Sequence, residues 1–203
     1  LLSLFVQKIC LKQYWGYINV CAPFYTTTVY IKSYMINLGY PQHQESIVCG
    51  LILLVMTIAL PISAHISDKI GRKPVIVWSS IALIISIYPI FLALHTMNYT
   101  LAILSQMLFA AIVGFYMGPV PTLLVELFPT RVRFTGVAIS YNLSVAIFGG
   151  TVPVIGAMLH KFTGEQISFA YYLTALSILC FCGLYFYKET YKYNLAEDII
   201  HEE

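Results

Sequence analysis

Of the 203 residues, 59% are hydrophobic and only 10% are charged, and the mean hydropathy is +0.79. An average soluble chain is about 25% charged, so a soluble globular domain is excluded and the expected solvent is a lipid bilayer. Eleven Lys and Arg against nine Asp and Glu give a net charge of +2, too balanced to imply a nucleic-acid partner.

A helix needs about 20 apolar residues to span a bilayer, and six such windows lie between charged or Pro/Gly-containing breaks. The first, residues 14–31, is the most polar: it holds Asn19 and the run Thr26, Thr27, Thr28, and ends at Lys32 and the turn-like Asn37-Leu38-Gly39-Tyr40-Pro41. Residues 47–66 form the second window, free of charge. A charged loop, 67–74, leads to the third, 75–94, and residues 95–99 make a tight hairpin into the fourth, 101–125. A second charged loop, 126–133, precedes the fifth window, 137–159. A short turn, 160–165, then opens the sixth, 167–187, and a polar tail, 188–203, follows. A signal peptide is not expected, because five hydrophobic windows follow the first. Residue 1 is Leu and membrane-like composition begins almost at once, so a piece of something longer is expected.

Cytoplasmic loops carry the excess of Lys and Arg. Lys8, Lys12, Lys69, Arg72, Lys73, Arg131, Arg133, Lys188 and Lys192 fall on one side of the six crossings, and only Lys32 and Lys161 on the other. Both termini and both charged loops are therefore predicted to be cytoplasmic. Trp15 and Trp78, at the inner ends of helices one and three, agree with this orientation. The five cysteines, 10, 21, 49, 180 and 182, form no metal-ligand or disulfide framework and are read as small buried residues. No metal or cofactor is predicted.

The first charged loop, Ala64-His65-Ile66-Ser67-Asp68-Lys69-Ile70-Gly71-Arg72-Lys73-Pro74, packs an acid, a glycine and three bases into a tight turn between adjacent helices. Gly71 permits the turn and Pro74 restarts a helix. The bases alone are explained by the inside-positive rule, but the spacing Asp-Lys-x-Gly-Arg-Lys resembles the signature loop of the major facilitator superfamily, with Ala64 in place of its first Gly. The second loop continues the likeness. Gly118-Pro119 to Pro121, Glu126-Leu127-Phe128-Pro129-Thr130-Arg131-Val132-Arg133, Tyr141-Asn142-Leu143 and Phe148-Gly149-Gly150-Thr151-Val152-Pro153 resemble the metabolite:proton symporter branch, the proline/betaine transporters. Ala170-Tyr171-Tyr172-Leu173 and Lys188-Glu189-Thr190 add to it. The E-x-F-P-x-x-x-R core is shared with sugar porters, and the Tyr-Asn-Leu and Phe-Gly-Gly-x-x-Pro segments argue for the metabolite branch. Two departures stand out, Lys32 and Phe169, each where similar transporters tend to have Pro.

The resemblance implies an all-α membrane protein whose six helices correspond to helices seven to twelve of a twelve-helix transporter, in the bacterial inner membrane. It implies alternating access to a small solute near the bilayer midplane, with protons as a coupled partner and an N-terminal six-helix half in the same or a separate chain. It also assigns the first and fourth helices to the central cavity. On the first, Asn19, Pro23, Thr26 and Tyr30 recur at helical spacing, a stripe that serves either cavity lining or interhelical hydrogen bonding. On the fourth, Gln106 is an uncharged amide deep in an apolar window and Tyr116 lies near Gly114, Gly118 and Pro119, where the glycines are read as packing positions. A quaternary ammonium would favour aromatic faces, which adds Tyr25 to Tyr30 and Tyr116. On the fifth, Gly136, Ser140 and Ser144 read as a packing seam, while Tyr141 and Asn142 are cavity or gate candidates. The loop residues Asp68, Gly71, Arg72, Lys73, Glu126, Arg131 and Arg133 form the expected cytoplasmic gating motif, with Asp68 latching the helix after Arg133.

No Asp, Glu, Lys or Arg falls near the centre of a window, where it would cost at least ~2.5 kcal/mol, so the coupling carboxylate of a proton symporter is expected outside this half. A membrane-embedded enzyme is disfavoured because the five His, at 43, 65, 95, 160 and 201, lie at window ends or in the tail. Asn98-Tyr99-Thr100 matches a glycosylation sequon but sits in a very short turn and is read as accidental. The expected function is proton symport of proline, betaine or a related metabolite. The alternatives are a half-transporter inactive alone, and a sugar-porter-like or organic-acid transporter of the same superfamily.

Overall fold

The computed structural model describes residues 21–127 and 133–184, and every element among them is helical. Helix α1 covers residues 21–38 and contains a π-helical stretch, Thr26–Tyr30. It stops because Gly39 is left-handed (φ 103°), so that its N–H returns to Ile36 O at 3.0 Å and that of Tyr40 to Met35 O at 3.1 Å. Pro41 lacks the N–H that a continuing helix would use, and stands extended as the N-cap of α2, Gln42–Ile70. Gly71 separates α2 from α3, Arg72–His95, with φ 105° and its N–H on Ser67 O. Asn98 caps α4, Tyr99–Met117, by accepting from the N–H groups of Thr100 and Leu101 at 3.1 and 3.3 Å. The Asn98 side chain is thus committed to a cap.

At Gly118 and Pro119 the fourth rod is interrupted and resumes as α5, Val120–Leu127. Helix α6, Arg133–Thr163, carries a second π stretch at Val145–Gly149 and restarts at Val152 with Pro153 in its first turn. Left-handed Gly164 ends it, and α7 is Ser168–Leu184. The helices run past the hydropathy windows, α2 from Gln42 rather than 47 and to Ile70 rather than 66. The cause is that backbone hydrogen bonding continues through polar residues that a hydropathy limit cuts off.

Among the described residues four helices are long and apolar enough to cross a membrane: Gln42–Ile70, Arg72–His95, Tyr99–Leu123 and Arg133–Thr163. The six crossings expected from sequence are matched to this extent. The first and sixth windows, 14–31 and 167–187, extend outside the described residues, as do Trp15 and the tail.

In the middle of the bundle α4 lies between α2 and α3, α7 packs on α3, and the second part of α6 packs on α7 and on the π stretch of α1. Lipid tails supply no hydrophobic drive for helix association, so close packing must do it. Gly114 and Gly118 provide this on α4. A β-carbon on Gly114 would stand 2.8 Å from Ala59 Cβ, and one on Gly118 2.7 Å from Ser63 Cβ, which places α2 and α4 in backbone contact. Ser63 Oγ donates to Phe115 O across the same crossing. The apolar core centres on Phe91, Phe109, Phe169 and Tyr34, all fully buried, whereas Trp78, Ile85 and Leu104 are exposed on the outside.

Candidate functional site

Two regions, at opposite ends of the helices, gather the chemistry-bearing side chains. The first is built on the α2–α3 turn. Because Gly71 turns the chain with a positive φ, Arg72 begins α3 folded back over the last turn of α2, where it donates to Asp68 Oδ1 and, at 3.2 Å, to Ser67 Oγ. Its other terminal nitrogen donates to Glu126 Oε1 on α5 at 3.3 Å. Side-chain exposure decides which pair matters. Asp68 is 60% exposed, Arg72 11% and Glu126 15%. An exposed pair contributes about 0–1 kcal/mol, whereas removing one partner of a buried pair costs ~3–5 kcal/mol. The Arg72–Glu126 bond is the more enclosed of the two, and it joins the α2–α3 turn to the fourth rod. Arg72 is the bridging residue, with Asp68 bonded to it from within the turn. Lys73 lies half-buried beside Arg72, and Arg133 begins α6; Arg131 lies outside the described residues.

The second region is the seam between α1 and α6. At the start of the π stretch of α1 the hydroxyls of Thr26, Thr27 and Thr28 donate to the carbonyls of Ala22, Pro23 and Phe24 at 2.7, 2.7 and 2.8 Å. Such back-bonding gives each hydroxyl a partner within its own helix, as a polar side chain in an apolar solvent requires. Both members of the seam carry a π segment, a feature that recurs at functional sites. On α6, Gly149 and Gly156 make room for rings of α1. A β-carbon on Gly149 would stand 2.6 Å from the Tyr25 ring, and one on Gly156 would collide with Tyr30. Tyr30 also packs at a tilt against Phe169 of α7, centroids 4.1 Å apart. Tyr141, on the earlier part of α6, is exposed.

The remaining candidates are distributed otherwise. Thr26, Gln106 and Tyr116 are enclosed within the bundle, at 0%, 0% and 1% exposure, and Tyr30 is at 8%. Gln106 has neither amide atom hydrogen-bonded, while Tyr116 packs in a small cluster with Cys21, Ile76, Val120 and Leu123. Asn142 is exposed and donates to Ala138 O of its own helix at 2.8 Å. Gly136, Ser140 and Ser144 are all buried, as a packing seam requires. Asn19 lies outside the described residues. Among the described residues no group of three or more His, Cys, Asp or Glu could hold a metal.

Sequence reasoning missed a charge. Glu45 in the first turn of α2 is fully buried, 3.9 Å from Lys32 Nζ of α1, and accepts from the Cys49 thiol at 3.2 Å. The helix N-terminus favours a carboxylate there. Nearby, Tyr34 Oη and His95 Nε2 lie 2.8 Å apart, and Tyr40, whose phenol is raised by burial, donates to Leu94 O at 2.9 Å. Lys32 and Phe169, the two departures noted in sequence, thus each have a defined place: one pairs with Glu45, the other supports Tyr30.

The sequence profile of the Major Facilitator Superfamily matches residues 14–199. The ectoine/proline transporter ProP of Corynebacterium glutamicum is 35% identical over 167 residues, 82% of this chain and 33% of that protein. The glycine betaine/proline/ectoine/pipecolic acid transporter OusA of Dickeya dadantii is 29% identical over 168 residues, 82% of this chain and 33% of that protein. The chain spans about a third of the length of these curated relatives, which are transporters and not enzymes.

Proposed function

Because the chain belongs to the Major Facilitator Superfamily, a family of integral membrane transporters, we propose that it forms helices seven to twelve of a secondary active transporter that carries a small zwitterion, proline, betaine or ectoine, together with protons. The observation that carries this reading is the match to osmolyte transporters of 27–35% identity over 77–84% of the chain. In it all six windows cross the bilayer, with the Asp68, Arg72 and Glu126 cluster cytoplasmic, as the nine-to-two division of Lys and Arg requires. A second six-helix half, in the same or a separate chain, faces this one, and rocking of the two alternates access. The Arg72–Glu126 tie holds one of the two conformations, because it links the α2–α3 turn to the fourth rod and must loosen if these move apart.

A second reading follows from the coverage of a third of each relative: a half that folds in the membrane and transports only when paired. Uptake of labelled proline, betaine and ectoine by cells lacking their own osmolyte transporters tests both. The chain is expressed alone and together with the N-terminal half of the Corynebacterium relative. Proline uptake that a protonophore abolishes is the expected result. Uptake only on co-expression establishes the paired half, and no uptake of any solute in either setting removes the transport reading.

A further inference from the structure

Among the described residues one acidic side chain is fully buried, Glu45 of α2, at the end of the helices opposite the Arg72 cluster. The transport reading makes that end the outer one. Glu45 stands two residues before the apolar window that opens at 47, roughly 3 Å along a helix, so it lies at the edge of the hydrocarbon layer. Taking a carboxylate out of water costs several kcal/mol unless it is closely paired and hydrogen-bonded. Ionisable groups enclosed in membrane helices therefore mark ion and proton pathways.

The pairing of Glu45 is loose. Lys32 of α1 brings a cation, but its Nζ is 3.9 Å from Oε1, beyond hydrogen-bond reach, and its side chain is 54% exposed. Oε1 also accepts from the Cys49 thiol at 3.2 Å, a weak donor. Ser46 Oγ lies 3.4 Å from Oε2. A hydroxyl has a single hydrogen, however, and that of Ser46 has a nearer acceptor in Gln42 O, at 3.0 Å. With that bond made, Oε2 meets only the lone pairs of Ser46. A proton on Oε2 resolves the contact, because Oε2–H can donate to Ser46 Oγ. Ser46 is exposed, which opens a way in for that proton.

Besides Lys32, the titratable groups at this end of the packed helices are His43 and Cys49 on α2, His95 on α3, bonded to Tyr34, and Tyr99 on α4. Helix α4 holds no Asp, Glu, Lys or Arg. Two cations can thus neutralise Glu45: the Lys32 ammonium, or a proton when Lys32 turns out to solvent. The proton forms an O–H bond on Oε2, the ammonium keeps its three hydrogens, and only the Lys32–Glu45 contact is lost. Lys32 can pass this exchange on, since it follows the π stretch of α1 and stands two residues from Tyr30. We propose that Glu45 is a proton-binding site loaded from the outer face, at which Lys32 and the proton alternate. Its place in a transport cycle rests on the transport reading above, and it puts a coupling carboxylate within this chain, where none was expected from sequence.

The first test needs no transport. Infrared difference spectra of the 203-residue chain in lipid nanodiscs, recorded on acidification, should show the carbonyl band of a buried protonated carboxylic acid, and Glu45→Gln should remove it. The second test uses proteoliposomes in which the chain is paired with an N-terminal half. Glu45→Gln should reduce gradient-driven proline accumulation to the external concentration, while exchange of internal for external proline persists. Lys32→Met leaves the proton as the cation for Glu45, so the pH of half-maximal uptake should rise. That variant carries the test if Glu45→Gln does not fold. His43→Gln, at an exposed neighbour, should behave as the unsubstituted chain does. The proposal is overturned if no such band appears or it survives Glu45→Gln, if folded Glu45→Gln still accumulates proline, or if Lys32→Met leaves the pH dependence in place. A band lost in Glu45→Gln, with no proline movement by the unsubstituted pair, contradicts the transport reading alone. Coupled transport that Glu45→Gln leaves intact contradicts the proton site alone.

Discussion

The ring of Tyr30 occupies the space that a side chain at residue 156 would need, so α1 and α6 approach as they do only because residue 156 is glycine. The same holds one π segment away, where the Tyr25 ring lies against Gly149. Two tyrosines five residues apart on one helix thus meet two glycines seven apart on the other. Both helices carry a π stretch beside these contacts, at Thr26–Tyr30 and Val145–Gly149.

Gly156→Ala is therefore expected to destabilise the fold by ~1–3 kcal/mol, the usual cost of overpacking, and Gly149→Ala by a similar amount. Gly50→Ala provides a control of opposite sign: it is helical with nothing within 4 Å of its would-be β-carbon, so it should gain up to ~1 kcal/mol of helix propensity. Thermal unfolding in detergent, followed by loss of the monodisperse species, measures all three.

At the other end, the exposures of Asp68, Arg72 and Glu126 predict an order. Arg72→Met removes the Arg72 guanidinium from Glu126, only 15% exposed, and should lower stability by about 1.5–3 kcal/mol, the usual worth of a hydrogen bond to a charged group. Asp68→Asn, at 60% exposure, should lower it by less than ~1 kcal/mol. If the cluster latches one conformation, Asp68→Asn changes transport more than stability. Uptake at equal expression reads this, and unchanged uptake removes the latch role of Asp68.

Gly71 has φ 105° and ψ 158°, a conformation that L side chains rarely adopt. Gly71→Ala is expected to cost ~1–3 kcal/mol and to displace Arg72 from Glu126, so combining it with Arg72→Met should cost less than the sum of the two. A double-mutant cycle on thermal stability measures the difference.

Much of the fold was legible in sequence because it rests on local rules. Pro41 and Gly39 announced the first turn, Gly71 and Pro74 the second, and the second, third and fifth apolar windows fell inside α2, α3 and α6. The glycines at 114 and 118 were read as packing positions, and they are where α2 touches α4. The candidate site was less legible because it depends on pairings distant in sequence. The slots of Tyr25 on Gly149 and Tyr30 on Gly156 join segments more than a hundred residues apart, and periodicity does not report on them. Glu45 escaped notice because it lies two residues outside an apolar window, yet the helix continues past that limit and buries it against Lys32. The charged cluster was found by motif, but that Arg72 rather than Asp68 makes the bridge follows only from the turn geometry at Gly71.

The central claim is tested most directly in proteoliposomes holding this chain with an N-terminal six-helix half, by following labelled proline while a pH gradient, acidic outside, is imposed. Accumulation above the external concentration that collapses when the gradient is dissipated is the predicted result. Equal proline movement with and without the gradient would contradict proton symport, and no movement of proline, betaine or ectoine would contradict the transport reading itself.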